Sequence, residues 1–107
     1  MKYYYNGKLI RTSDRIYEYA VIDTETFKVY GCSGTLKGAE SQLRGAQKRV
    51  LLIKSLIDGT YRKRKYWHAS RKEHIEFFVK YHGSLENALE EAKEEIKNVD
   101  IVKLEMR

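Results

Sequence analysis

The chain reads as an α+β domain in which helices pack on a mostly antiparallel sheet. Three observations predict this class. The first third holds short β-prone runs joined by turn residues, at Asn6-Gly7 and again at Thr24-Glu25-Thr26. An apolar stripe at alternating spacings of 3 and 4 then runs from Leu36 to Ile57. A second stripe, from Leu85 to Val99, leads into a final β-prone segment. A length of 107 residues suits a single domain, 1–107, with a small core, and the absence of Pro leaves little for a Pro-rich linker.

Taken in order, Tyr3 to Ile10 is a hairpin, because Asn-Gly suits the left-handed dihedrals of a two-residue turn. Residues 15–23 form the strongest strand. Ile16, Ala20 and Ile22 take one side and Tyr17, Tyr19 and Val21 the other, so both faces expect cover. Phe27 to Gly31 returns as its partner. A long helix is predicted from about Thr35 to Asp58, with Leu36, Ala39, Leu43, Ala46, Val50, Ile53 and Ile57 on one face and Gly59 as its stop. Residues 61–72 read as a short helix or an ordered loop. Ile75, Phe77, Val79 and Tyr81 alternate as a strand would. Ser84 caps the next helix, whose core face is Leu85, Ala88, Leu89, Ala92, Ile96 and Val99. A last strand covers 100–105. The expected order is β-hairpin, ββ, α, (short α), β, α, β, with two main helices.

Charge is distributed unevenly along this framework. Eleven of the 21 Lys and Arg residues lie between Lys37 and Lys72, against Glu40 and Asp58 alone. The segments 1–34, 35–72 and 73–107 stand at +1, +9 and −4, which together make the net +6. The densest stretch, Tyr61-Arg-Lys-Arg-Lys-Tyr-Trp-His-Ala-Ser-Arg-Lys72, interleaves cations with Tyr61, Tyr66, Trp67 and His68. Four consecutive cations repel one another, and a polyanion relieves that repulsion. Flat rings among them offer stacking surface to unpaired bases. On a helix, Lys37, Arg44 and Lys48 fall opposite the apolar stripe and extend the row toward residues 61–72.

Cysteine and hydropathy narrow the setting. Cys32 is alone, so an intrachain disulfide is excluded and a cytoplasmic, reducing compartment fits. No long apolar run suggests a membrane span, and Met1-Lys-Tyr-Tyr-Tyr5 has the pattern of neither a signal peptide nor an anchor. Gly31-Cys-Ser-Gly-Thr-Leu-Lys-Gly38 joins a strand to a helix start, where free N–H groups attract phosphate. It lacks the Lys of a Walker loop, and a tight connection with Ser33 or Thr35 as the cap is the favoured reading. His68, His74 and His82 have no zinc-ligand spacing, and no cofactor is expected for a binding protein. Cys32 reads as a buried structural thiol, and the Glu86, Glu90, Glu91, Glu94 and Glu95 run as a solvated helix face.

Ile16-Tyr17, then Lys28-Val29-Tyr30-Gly31 with Ser33 soon after, resemble the two name motifs of the GIY-YIG nuclease family. The likeness spans roughly residues 15–98 and follows the family's order of strands and helices. The chain departs from the pattern where Arg15 replaces a Gly, where no Ile separates Tyr30 from Gly31, and where Glu40 stands near the expected Arg. The resemblance implies a Mg²⁺-dependent nuclease. Tyr17 and Tyr30 would position the attacking water, Arg44 would stabilise phosphorane-like charge, and Glu91 would ligate the metal.

The residues thus lead first to a small basic protein that binds DNA or RNA. Arg62, Lys63, Arg64, Lys65, Arg71 and Lys72 would contact phosphates, Lys37, Arg44 and Lys48 would extend the track, and Tyr66 and Trp67 would stack on bases. A metal-dependent nuclease is the second reading. A small phage- or virus-encoded protein that grips a host nucleic-acid enzyme is the third. An edge strand in the Tyr3–Ile10 hairpin also suits pairing of two copies into a homodimer.

Overall fold

The computed structural model describes residues 1–62 and 69–107. Strands β1 (Lys2–Tyr5), β2 (Lys8–Thr12), β3 (Tyr19–Asp23) and β4 (Val29–Ser33) are followed by helices α1 (Leu36–Ala46), α2 (Lys48–Asp58), α3 (Arg71–His82) and α4 (Leu85–Ile96). The chain ends with β5 (Val99–Lys103) and β6 (Glu105–Met106). These elements form two compact units, one from residues 1–47 and 98–107, the other from 48–97. The α+β class is as expected, with two antiparallel three-stranded sheets, β2-β1-β6 and β4-β3-β5. Among the described residues, no helix is long and apolar enough to cross a membrane.

The first unit is built around β3, whose register follows from its sequence. Ala20 faces Cys32 and Val102, while Val21 faces Gly31 and Ile101. Ala20, Ile22, Cys32, Val102 and Leu104 bury against Tyr3 from the other sheet, with Tyr5, Ile10, Tyr17, Phe27 and Val29 around them. The pleat turns Val21 and Gly31 to the opposite face. There α1 approaches so closely that a Cβ on Gly31 would stand 2.7 Å from Gln42 Cδ. Both faces of β3 are therefore covered, and Ala20, Val21 and Ile22 are fully buried. Ile16 lies outside the strand at 74% exposure, so its place in the alternation is not used for the core.

The turns are those the residue types require. Asn6 and Gly7 both take positive φ, 49° and 77°, as a two-residue hairpin of this hand demands. In the β3–β4 turn the Asp23 carboxylate accepts from the Glu25 and Thr26 N–H groups at 2.8 and 2.9 Å. The Thr26 N–H foremost, then that of Glu25, holds this carboxyl below its usual range. The turn's contribution is present above about pH 4 and is lost as pH falls through the lowered value. The Tyr3 hydroxyl donates to the Arg15 carbonyl at 2.6 Å and accepts from the Tyr17 N–H at 3.1 Å, pinning the segment that leads into β3.

Two expected elements differ. The long helix is interrupted at Gln47, which caps α1 with φ −86° and ψ 1° and donates its N–H to the Leu43 and Gly45 carbonyls. Gly45 just before it lacks a Cβ to hold the last turn helical. The apolar stripe divides accordingly. Ala39 buries in the first unit, and Val50, Ile53 and Leu56 bury in the second, where Leu56 takes the place expected of Ile57.

Ile75 to Tyr81, expected as a strand, belongs to α3. Ser70 and Glu73 form a reciprocal capping box at its start, and Gly83 with φ 87° closes it. At helical spacing the inward residues are His74, Ile75, Phe78 and His82, while Phe77, Val79 and Tyr81 are exposed. The alternation was thus a by-product of two faces of one helix. Ser84 caps α4 by accepting from the Asn87 N–H at 3.1 Å, and Ala88 and Ala92 bury beside Phe78 in the second core.

Replacing Tyr3 by Phe leaves the Tyr17 N–H and the Arg15 carbonyl without their partner and should cost about 1–3 kcal/mol in urea unfolding. Ser70→Ala removes half of the capping box. Roughly 1 kcal/mol should be lost, with a measurable fall in helical circular dichroism that a strand at 75–81 would not show.

Candidate nucleic-acid interface

The expected basic residues divide between the two units. Lys37 and Arg44 lie seven positions apart on α1, which brings them to one face of that helix, and both are exposed. Lys48 opens α2 and is likewise exposed. The break at Gln47 means that Lys48 does not continue the α1 row on the same helix. Arg62 follows α2, and Arg71 and Lys72 begin α3. Lys63, Arg64, Lys65, Tyr66, Trp67 and His68 lie outside the described residues.

Around that segment the chain is tied at both ends. The Tyr61 hydroxyl donates to the Ala69 carbonyl at 3.1 Å, and its ring meets the His74 ring edge-on at 5.4 Å. Tyr61 therefore packs against the second core and is not a free ring in the basic run. The Arg71 guanidinium donates to the Leu56 carbonyl at 3.2 Å, satisfying a group near the end of α2. Five N–H donors on a guanidinium leave others able to meet phosphate. This anchoring role was not readable from sequence, since it depends on α2 and α3 meeting fifteen residues apart.

Counter-charges decide how much of the basic segment stays available. Lys72 has Glu76 one turn on, at 3.9 Å with both side chains well exposed, a pairing worth little in water. Arg49 reaches Glu95 at 4.0 Å. Lys37, Arg44, Lys54 and Arg62 are exposed, and none has a carboxylate in ion-pair range among the described residues. The glutamates of α4 are all exposed, and Glu90 and Glu94 pair with Lys93 and Lys97 of their own segment. Much of the acidic face is thus answered locally.

The residues singled out by the nuclease resemblance fall on different segments, Tyr17, Tyr30 and Arg44 in the first unit and Glu91 in the second. Val21 faces Gly31 and Ile22 faces Val29, so Tyr30 occupies the bulge between them. Tyr17 precedes Val21 by four positions, roughly 13 Å along an extended chain. Its ring packs edge-on to Tyr3 at 5.6 Å and lies under Arg11, whereas Tyr30 lies under Lys28. Arg44 stands in the last turn of α1. Glu91, in the other unit, faces His82 Nδ1 within hydrogen-bonding range. Among the described residues, no group of three or more His, Cys, Asp or Glu side chains is placed to hold a metal ion.

The Gly31–Gly38 loop is a capped connection. Thr35 is the N-cap, accepting from the Gly38 N–H at 3.1 Å, while Ser33 Oγ accepts from the Thr35 N–H at 3.2 Å. Gln42 Nε2 donates to the Cys32 carbonyl at 2.7 Å and fastens α1 to β4. Cys32 itself is buried, and that burial pushes its thiol up despite the opposing charge of Arg11. Comparisons with protein-family models, curated proteins and solved structures give no match to this chain.

At neutral pH the Cys32 thiol should react with Ellman's reagent far more slowly in the folded protein than in denaturant. A raised thiol value makes its stabilising contribution complete below the free-thiol range, about 8.5, and lost as pH rises through the folded value. Native labelling at the rate of a free peptide thiol would contradict the burial.

Proposed function

We propose that this chain is a nucleic-acid-binding protein whose basic middle segment contacts the phosphate backbone of DNA or RNA. The carrying observation is the concentration of eleven cations against two anions between Lys37 and Lys72. Support comes from Lys37, Arg44, Lys54 and Arg62, which are exposed without carboxylate partners among the described residues. Exposed cations with no internal counter-charge lose little on meeting a polyanion and release its condensed counterions, which is the main drive for such binding. Arg71 and Lys72 add charge at the start of α3, each with only weak or partial internal engagement.

A cleavage reaction is not part of this proposal. Tyr17 packs on Tyr3, Tyr30 lies under Lys28, and Glu91 faces His82.

Binding to labelled DNA and RNA should weaken steeply with salt. If about six phosphates are neutralised, the log–log slope should be roughly −5 on duplex and −4 on single strands. Changing Arg62, Lys63, Arg64 and Lys65 together to Ala should bring affinity close to background while the far-ultraviolet circular dichroism is kept. Equal binding by this variant and the parent would refute the proposal.

A further inference from the structure

We infer that the exposed aromatic face of α3 is where two copies of this chain associate, as an antiparallel helix pair related by a twofold axis near Phe77. The inference is independent of how the basic segment is used. Among the described residues Phe77 and Tyr81 are the only aromatic rings in the exposed class, at 50% and 63%. They stand four positions apart, with ring centroids 4.8 Å from one another. Neither is spent on the second core, which takes Phe78 and Ile75 from α3. Paired rings left open to water mark surfaces that associate, since aromatic side chains are enriched where proteins meet.

The charges bordering the rings select the occupant. By helical spacing Glu73 and Lys80 fall on one flank of Phe77, and Tyr81 with His74 on the other. Along the axis Glu73 lies about 6 Å before Phe77 and Lys80 about 4.5 Å after it. A twofold axis at Phe77 that reverses the second helix keeps each flank on its own side. It brings Glu73 of each copy level with Lys80 of the other, Phe77 against Phe77, and Tyr81 beside His74. The face is thus complementary to itself, as a twofold interface requires. Lys80 is exposed and has no carboxylate in ion-pair range among the described residues. Glu73 Oε1 accepts from the Ser70 hydroxyl and N–H, and a carboxylate has room for further donors. Glu73 and Glu76 beside the rings disfavour a polyanion there. The β2 edge is a poorer place for pairing, because a register shift opposite Tyr3 and Tyr4 and the cations Lys8 and Arg11 protect it.

One helix from each copy offers a small contact, so the association belongs to the weak class, with a dissociation constant of about 10–100 µM. The test is sedimentation equilibrium of the full chain at concentrations from about 5 to 500 µM, where such a dimer forms progressively. The Phe77→Ser, Tyr81→Ser double variant should stay monomeric throughout while keeping its far-ultraviolet circular dichroism. Lys80→Glu sets like charges against each other at both symmetry-related positions and should raise the dissociation constant about tenfold. Adding Glu73→Gln should recover about threefold of that loss, because Gln keeps the capping box and removes the facing charge. Carbodiimide coupling in a mixture of isotopically light and heavy chains should join Lys80 of one to Glu73 of the other. A parent that sediments as a monomer over the whole range would overturn the inference. So would a double variant that dimerises like the parent, which would move the contact to another surface such as the β2 edge. Lys80→Glu associating as tightly as the parent would refute the antiparallel register.

Discussion

β3 is hydrogen-bonded along both edges, to β4 and to β5, and buried on both faces, and the arrangement of residues 1–47 and 98–107 follows from that double engagement. A strand in this position has no exposed N–H or C=O row and needs apolar residues on successive positions rather than alternate ones. Ala20, Val21 and Ile22 meet the requirement. One face accepts Tyr3, Cys32 and Val102, and the other accepts α1 through the close approach of Gln42 to Gly31. Backbone bonds from Leu104 to Glu18 and from Thr24 to Asn98 hold both ends of the returning segment beside this strand. Residues distant in sequence are thereby joined into one core.

The helical unit solves a different problem, that of keeping many cations on a small body. Its residues 48–97 carry 12 of the chain's 21 Lys and Arg residues and 8 of its 15 Asp and Glu residues. Among the described residues its buried cluster is made of small and aliphatic side chains and Phe78, with Tyr61 packed against it. Glu95 of α4 meets Arg49 of the basic segment and Glu91 faces His82, while Glu90 and Glu94 pair with Lys93 and Lys97 of their own segment. Local pairing of this kind is energetically modest on an exposed surface. Its consequence is electrostatic: it limits how far the acidic helix can neutralise the basic segment that precedes it.

Where sequence reading succeeded, short-range physics was sufficient. Asn6-Gly7 needs positive φ whatever surrounds it, and Thr35, Ser84 and Gly59 mark helix ends through bonds and dihedrals confined to a few residues. It failed where two periods fit the same letters. Ile75, Phe77, Val79 and Tyr81 alternate, yet Ser70 and Glu73 close a capping box three residues apart and Phe78 supplies the inward anchor at helical spacing. The stripe from Leu36 to Ile57 likewise suits one helix or two, and Gly45 beside Gln47 allows the break. Charge excess was visible from the letters, but the commitment of Arg71 to the Leu56 carbonyl and of Tyr61 to Ala69 was not.

The amino-acid order alone determined the α+β class, the hairpin turn, the doubly covered strand and the basic middle segment, because each rests on residue type and near-neighbour spacing. Only the tertiary structure decided which rings face water, which cations lack a counter-charge among the described residues, and that Tyr17 packs on Tyr3. Those outcomes depend on register and on contacts between distant segments, where a shift of one residue in a strand moves every side chain to the opposite face.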